Sequence, residues 1–267
     1  MPITINDKIY EAVIFDLDDT LIDTSLSYDE TIKRTVKHYT NVDIDDADLR
    51  LLRTYGISYG VNNDWHVTYL LINLINNFQK AMWKHILVSE SLDKINRNSK
   101  KYLKIKDFFQ AIYLGKPYFN GQGLIDTAEK KLYKDNFFPS LKKQGVKIAV
   151  VTGRATPEAF HTLKINDLIG EFIDNEAWVI AADSVNADGQ AIGEKPSSAP
   201  ILECAKRLHL PLTACIYVGN SVSDYIAAKN APIDFIHVGK SAIKRENEVK
   251  SFNYIKFNDV NDIFHLM

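Results

Sequence analysis

The chain has 267 residues, which is enough for one large domain or for a core with a smaller companion. With 46% hydrophobic and 25% charged residues, the composition is that of a folded globular protein and argues against a disordered or fibrous chain. The 32 basic and 34 acidic residues give a net charge of −2, which lacks the cationic excess of a dedicated nucleic-acid binder. We therefore expect no nucleic-acid partner.

The cysteines and the apolar segments indicate the cellular compartment of the protein. Cys204 and Cys215 are the two cysteines of the chain, and neither lies in a CxxC or Cys/His motif. Two such cysteines are too few for a disulfide framework or a zinc knuckle. A reducing cytosol is therefore the simplest interpretation of the compartment. The sequence contains no uncharged stretch long enough for a membrane span and no pattern of a signal peptide. We expect a cytoplasmic protein with no membrane partner.

Short apolar runs rich in β-branched residues predict strands that are covered on both faces. In chain order, these runs are residues 12–15, 148–151, 178–182, 214–218 and 235–238. Helical patterns follow several of these runs, at residues 157–163, 198–208 and 223–230. Alternating strands and helices predict an α/β fold with a parallel sheet.

The alternation stops between residues 25 and 134, where apolar residues recur at spacings of three and four. This pattern predicts an inserted helical domain over 25–134 and a core domain formed by 1–24 and 135–267. One proline and two glycines in residues 116–123 predict a flexible connection back to the core. An Asp-Gly pair in residues 186–193 predicts a tight turn.

The first predicted strand ends in two closely spaced carboxylates, Asp16 and Asp18, in the string FDLDDT. In an open α/β sheet, ligands bind at the carboxyl ends of the strands. Neighbouring carboxylates repel each other, so a cation or an acid/base role would account for them. A solvated turn with a helix cap is the alternative for this string alone.

Polar side chains also follow three later elements. Thr152, Gly153 and Arg154 come after the second strand, where a hydroxyl and a glycine amide suit an anion. Lys195 follows the predicted turn, and a solvated lysine is the alternative there. In the string GNSVSD, Asn220 and Asp224 carry oxygens suited to Mg²⁺, although a helix N-cap explains this string as well.

Taken together and in this order, these motifs resemble those of the haloacid dehalogenase superfamily: DxDxT, a Thr or Ser, a Lys, and an acidic loop. The resemblance covers the core, roughly residues 8–24 and 135–267. It implies a Rossmann-like parallel sheet core, and the long insertion resembles the α-helical cap domain of that superfamily. The branch resembled is that of phosphoglycolate phosphatases and β-phosphoglucomutase-like proteins.

The resemblance also implies a role for each motif residue. Asp16 would be the nucleophile that forms an aspartyl-phosphate, and Asp18 would protonate the leaving oxygen and later deprotonate water. Thr152 would bind a phosphoryl oxygen, and Lys195 would neutralise charge beside Asp16. Thr20 would support the first loop. The Mg²⁺ ligands implied are Asp16, Asp18 through its main-chain carbonyl, Asn220 and Asp224.

Further substrate contacts are predicted with more than one interpretation open. Asn63 and Trp65, in the string NNDW of the insertion, could bind substrate hydroxyl groups, but a surface turn and core packing explain them as well. Arg154 is a plausible contact to an anionic substrate, with a solvated charge as its alternative. The predicted substrate and phosphate contacts are Thr20, Gly153, Arg154, Asn63 and Trp65.

The function favoured is that of a Mg²⁺-dependent phosphatase acting on a small phosphorylated metabolite, with a cap that closes to exclude water. Asp18 favours phosphoryl chemistry, because dehalogenases of this branch lack an acid there. Asn220 departs from the pattern, since such phosphatases usually carry an acid at that position and a carboxamide should bind Mg²⁺ more weakly. The alternatives are a sugar-phosphate mutase and a phosphometabolite-binding protein with weakened turnover. Both a monomer and a homodimer remain open.

Overall fold

The structure is a computed structural model, which describes residues 3–5, 8–59, 63–118, 122–239 and 254–266. The chain divides into two compact units. The sheet unit comprises Met1–Asp23 and Lys130–Met267, and the helical unit comprises Thr24–Glu129. Within the described ranges, no helix is long and apolar enough to cross a membrane.

The sheet unit is built on a six-stranded parallel sheet with the order β10-β9-β8-β3-β6-β7. The predicted α/β class with a parallel sheet is therefore confirmed. The six strands, in chain order, are β3 (Ala12–Phe15), β6 (Lys147–Val151), β7 (Val179–Ile180), β8 (Cys215–Gly219), β9 (Asp234–Val238) and β10 (Ile255–Phe257). The run at 178–182 forms a strand over two residues alone, and β10 was not predicted.

Both faces of this sheet are buried, which is why its strands read as continuous apolar runs. On β3, Val13 and Phe15 enter one apolar cluster, whereas Ala12 and Ile14 enter the other. Helices cover each face: α7 and α8 contribute to the first cluster, and α9 and α10 to the second. These helices are α7 (Phe137–Lys143), α8 (Thr156–Ile165), α9 (Ala199–Leu208) and α10 (Val222–Asn230).

Among the residues that the structure describes, two short antiparallel ribbons accompany the main sheet. Strands β1 (Ile3–Ile5) and β2 (Lys8–Tyr10) form one, and β4 (Ile22–Asp23) pairs with β5 (Lys130–Lys131) in the other. Because of the second ribbon, residues 130–134 lie in the sheet unit, although the sequence assigned them to the insertion. The tight turn predicted at residues 186–193 is present, with a bridge between Val185 and Ala191.

The described residues of the helical unit form six α-helices around their own apolar cluster. They are α1 (Tyr28–Thr40), α2 (Asp46–Tyr55), α3 (Asp64–Asn77), α4 (Trp83–Val88), α5 (Lys100–Leu114) and α6 (Leu124–Thr127). Helix α1 packs against α3 and α5, and α3 buries residues on most of its circumference. Of the predicted connection at 116–123, residues 119–121 lie outside the described residues, as does Asn62 of the NNDW string.

Candidate active site

Three adjacent strands bring the predicted motifs to one edge of the sheet. Strand β3 lies between β6 and β8, and Phe15 pairs with Val150 on one side and Val218 on the other. The amide of Asp16 continues this ladder by donating to the carbonyl of Val218 at 2.8 Å. The residues that follow the three strands therefore meet at the carboxyl edge, which is where α/β sheets bind ligands.

Lys195 joins two buried carboxylates at this edge. Its Nζ lies 2.5 Å from Asp16 Oδ1 and 2.6 Å from Asp224 Oδ1. The side chains of Lys195, Asp16 and Asp224 are 8%, 7% and 0% exposed, respectively. Two carboxylates removed from water would repel each other strongly, so the shared ammonium group is what makes this arrangement tolerable.

Tyr217 completes the surroundings of Lys195. Lys195 Nζ donates to the Tyr217 hydroxyl at 3.2 Å, so the three protons of the ammonium group have three acceptors. The hydroxyl in turn donates to Asp224 Oδ1 at 2.8 Å. Tyr217 was not predicted from the sequence. A phenol inside an apolar strand run was the available signal, because a buried hydroxyl needs a partner.

Asp224 is also bound by the start of α10. The amide and hydroxyl of Ser221 donate to Asp224 Oδ2 at 2.9 and 2.6 Å, and the Ser221 hydroxyl accepts from the Asp224 amide in a reciprocal capping box. Each carboxylate oxygen of Asp224 thus accepts two hydrogen bonds, counting those from Lys195 and Tyr217. The helix N-cap, which was the alternative interpretation of the string GNSVSD, is present together with the contact of Asp224 to Lys195.

Burial and charge act on these groups in opposite directions. Burial, together with the charge of Asp224, raises the pKa of Asp16 to about 7, while Lys195 pulls it down. Burial alone would lower the pKa of Lys195, but the charges of Asp16 and Asp224 outweigh it and raise that pKa. For Asp224, burial is outweighed by Lys195 and Ser221, which hold its pKa below the ordinary value. Burial and the nearby carboxylates raise the pKa of Tyr217, which keeps its phenol protonated.

The second carboxylate of the first loop, Asp18, pairs with Arg154. Arg154 Nε lies 2.6 Å from Asp18 Oδ1, and Arg154 Nη1 donates to Thr162 Oγ1 at 2.5 Å. The Arg154 side chain is 0% exposed, whereas that of Asp18 is 31% exposed. The structure thus gives Arg154, predicted as a phosphate contact, two partners inside the protein.

The remaining predicted contacts of the sheet unit lie on the loops that follow β3 and β6. Thr20 is buried, and its hydroxyl lies 3.5 Å from Asp16 Oδ2. Thr152 is buried, and its Oγ1 accepts from the Arg154 amide at 3.1 Å, which does not use the proton of the hydroxyl. Gly153 is exposed beside it. The role of these residues toward a phosphate stays a prediction.

Gly219 lets Asp224 approach the end of β8. A Cβ at position 219 would lie 2.6 Å from Cγ and 2.8 Å from Oδ2 of Asp224. We expect Gly219→Ala to displace this carboxylate and to lower the free energy of unfolding by about 1–3 kcal/mol, because side chains in a packed interior cannot move aside freely. Chemical denaturation measures the change.

Gly153→Ala is the matched control, since a Cβ at position 153 would meet no atom within 4 Å. Its free energy of unfolding should stay within about 0.5 kcal/mol of the parent value. Equal stability of the two variants would show that the contact between Gly219 and Asp224 is not as close as described.

Oxygen donors for Mg²⁺ are present, but they are not a cluster of acids. In the described part of the chain, no three or more His, Cys, Asp or Glu side chains are arranged to hold a metal ion. The carboxylate of Asp16, the main-chain carbonyl of Asp18 and the carboxamide of Asn220 follow the neighbouring strands β3 and β8 and are of the type that Mg²⁺ binds. Together these three donors carry a single side-chain charge. Asp224 has both oxygens engaged, so it would contribute through water.

Asn63 and Trp65 belong to the helical unit, at the start of α3. Asn63 is the N-cap residue: its Oδ1 accepts from the amides of Trp65 and His66 at 3.0 and 3.3 Å. The Trp65 ring is half-buried against the apolar cluster of this unit, and Lys106 Nζ lies 3.8 Å from the ring centroid. These contacts give both residues a structural role, and their substrate contacts stay a prediction.

Comparison with known proteins places these features in a family context. A model of the family described as haloacid dehalogenase-like hydrolase matches residues 10–232. The chain is 24% identical over 227 residues to a phosphoglycolate phosphatase from Colwellia psychrerythraea, covering 85% of this chain and 83% of that protein.

Solved structures show the same fold. One, described as a predicted phosphoglycolate phosphatase from Haemophilus somnus, has a TM-score of 0.66 at 17% identity, with 96% of this chain and 97% of that one covered. Another, phosphatase Tt82 from Thermococcus thioreducens, has a TM-score of 0.60 at 20% identity, with 95% and 97% covered.

Proposed function

We propose that this chain, which belongs to the haloacid dehalogenase-like hydrolase family, is a phosphatase that hydrolyses a small phosphate monoester. The observation that carries the proposal is the contact of Lys195 with Asp16 at the carboxyl edge of the sheet. A buried carboxylate beside an ammonium group can accept a phosphoryl group whose negative charge the same ammonium group helps to neutralise.

The proposed reaction has two steps. In the first, a carboxylate oxygen of Asp16 bonds to phosphorus, the bond from phosphorus to the ester oxygen breaks, and Asp18 gives that oxygen a proton. In the second, water attacks phosphorus, Asp18 takes a proton from it, and the bond to Asp16 breaks. The products are an alcohol and inorganic phosphate, and both carboxyl groups return to their starting states.

We propose Mg²⁺ as the cofactor, held by Asp16, the main-chain carbonyl of Asp18 and Asn220. When bound, the ion supplies positive charge next to the phosphoryl oxygens. Lys195 keeps Asp16 oriented within the sheet edge, and the Thr152 hydroxyl is available as a donor to the phosphoryl group.

A small phosphorylated metabolite in the cytoplasm is the proposed substrate class. The curated relative from Colwellia psychrerythraea is named a phosphoglycolate phosphatase, which makes phosphoglycolate the first compound to test. Cys204 and Cys215 are both buried and not joined in a disulfide, which supports a reducing compartment.

Phosphate release from a panel of phosphate monoesters, with and without Mg²⁺, tests the proposal. We expect release from at least one small acid or sugar phosphate in the presence of Mg²⁺. Product analysis separates hydrolysis from transfer, because a mutase would yield an isomeric phosphate ester in place of inorganic phosphate. Turnover of no monoester at any Mg²⁺ concentration would favour a phosphometabolite-binding protein.

The neutral side chain at position 220 makes a specific prediction about the metal. We expect Asn220→Asp to lower the dissociation constant of Mg²⁺ by about tenfold, because a second side-chain charge joins the donor set. Isothermal titration calorimetry with MgCl₂ measures the constant without turnover. Asn230→Asp adds the same charge at the exposed end of α10 and serves as the control. An unchanged constant in Asn220→Asp would remove Asn220 from the proposed ligands.

A further inference from the structure

We propose that Arg154 is the positioning residue of Asp18: its buried guanidinium group holds the Asp18 carboxyl group in the orientation in which Asp18 transfers protons to and from the substrate. This inference rests on the proposed phosphatase reaction and assigns Arg154 a role that differs from the phosphate contact predicted from the sequence.

The guanidinium group is held from two sides. Nη1 donates to the hydroxyl of Thr162 on α8, and Nε donates to Asp18 Oδ1 on the loop after β3. The backbone of Arg154 is held as well, because its amide donates to Thr152 Oγ1 and its carbonyl accepts from the Ala182 amide at 2.9 Å. A planar group fixed at two donors on two elements has little freedom to rotate.

The side chains of Arg154 and Asp18 differ in their exposure to a substrate. Arg154 is 0% exposed along its side chain, and its Nε and Nη1 are engaged by Asp18 and Thr162. Asp18 is 31% exposed, so it is the accessible member of the pair. Arg154 therefore acts on the reaction through Asp18.

Full burial of a guanidinium group is costly compared with an apolar side chain of similar volume. The apolar clusters on both sides of the sheet show that such side chains pack well in this unit. What the charged group adds is orientation: a proton donor must lie within hydrogen-bond reach of the leaving oxygen, and small displacements reduce the rate strongly.

The contact with Arg154 gives the two carboxyl oxygens of Asp18 different roles: Oδ1 accepts a hydrogen bond, and Oδ2 transfers protons. Oδ1 accepts from Arg154 Nε, which assigns the proton to Oδ2. In the first step the proton leaves Oδ2 for the ester oxygen as the bond from that oxygen to phosphorus breaks. In the second step Oδ2 takes a proton from the attacking water. The guanidinium group stays protonated throughout.

The test compares substrates that need a proton donor with one that does not. We expect Arg154→Lys to lower the rate of the first step for an alkyl phosphate, measured as alcohol released within one turnover, about 10-fold to 100-fold, because an ammonium group lacks the planar fork of donors that pairs with Asp18 and Thr162. For p-nitrophenyl phosphate, whose leaving group departs without a proton, we expect the rate of the first step, measured as the burst of p-nitrophenolate, to change by less than about threefold. The second step, in which Asp18 deprotonates water, is common to both substrates and is not part of this comparison. Thermal unfolding confirms that the variant is folded.

A second pair of variants leaves Arg154 in place. Thr162→Val keeps the volume of the side chain and removes the hydroxyl that fixes Nη1, whereas Thr162→Ser keeps the hydroxyl. We expect Thr162→Val to show the same selective loss on the alkyl phosphate, about 3-fold to 10-fold, and Thr162→Ser to match the parent. In an Asp18→Asn background, Arg154→Lys should cause no further loss.

The outcomes separate this inference from the function on which it rests. Equal losses in the first step of both substrates, or an undiminished loss in the Asp18→Asn background, would overturn the positioning role while leaving the phosphatase reaction standing. A parent protein that hydrolyses neither substrate would overturn the proposed function and the inference with it. Selective, non-additive losses support both.

Discussion

Asp16→Asn is expected to reduce phosphate release by at least about 10⁴-fold, the largest loss of activity expected from any substitution in this chain. The carboxamide has nearly the shape of the carboxylate but cannot form an acyl phosphate. The fold should survive, because Lys195 keeps Asp224 as a partner at 2.6 Å. We expect the free energy of unfolding to change by less than about 2 kcal/mol.

Asp19→Asn provides the matched control on the same loop. Asp19 is exposed and has a φ of 53°, a left-handed conformation that Asn adopts readily. Phosphate release by this variant should stay within about threefold of the parent rate. Substantial activity in Asp16→Asn, or a comparable loss in Asp19→Asn, would argue against Asp16 as the nucleophile.

Lys195→Met is expected to have the largest effect on stability. It removes the ammonium group from two carboxylates that are 7% and 0% exposed, Asp16 and Asp224, and leaves both without their shared cation. Breaking a buried pair in this way costs about 3–5 kcal/mol of unfolding free energy. Chemical denaturation measures this loss, and phosphate release should fall in the same variant.

The origin of that loss can be tested with a second substitution. In an Asp224→Asn background, where one carboxylate is already neutral, Lys195→Met should cost less than it does alone, by about 1–3 kcal/mol. Identical costs in the two backgrounds would mean that packing of the lysine side chain, and not charge, accounts for the loss.

Five strands of the main sheet could be predicted because their residues are buried. Strand β3 sends alternate residues into two apolar clusters, so every position in it is apolar. The missed elements lack this signal: β10 has the burial pattern intermediate, exposed, intermediate, and β5 consists of two exposed lysines. Such strands exist because a neighbouring edge offers hydrogen bonds, which a local pattern does not reveal.

The motif residues of the candidate site could be predicted from the sequence, but the contacts between their side chains could not all be predicted. Asp16 and Lys195 are 179 positions apart, and the predicted parallel sheet explained why they could meet. The pairing of Arg154 with Asp18, 136 positions away, had no such signal, because an arginine after a strand is usually solvated. In the helical unit, the local polar string around Asn63 is explained by a helix cap.

Chemical trapping of the intermediate tests the central claim most directly. The protein would be mixed with a ³²P-labelled monoester that it hydrolyses, quenched within one turnover, and treated with borohydride, which reduces an acyl phosphate to an alcohol. We predict acid-stable label on the protein before reduction, and a peptide in which residue 16 has become homoserine after it. Turnover without label, or reduction at a residue other than Asp16, would contradict phosphoryl transfer to Asp16.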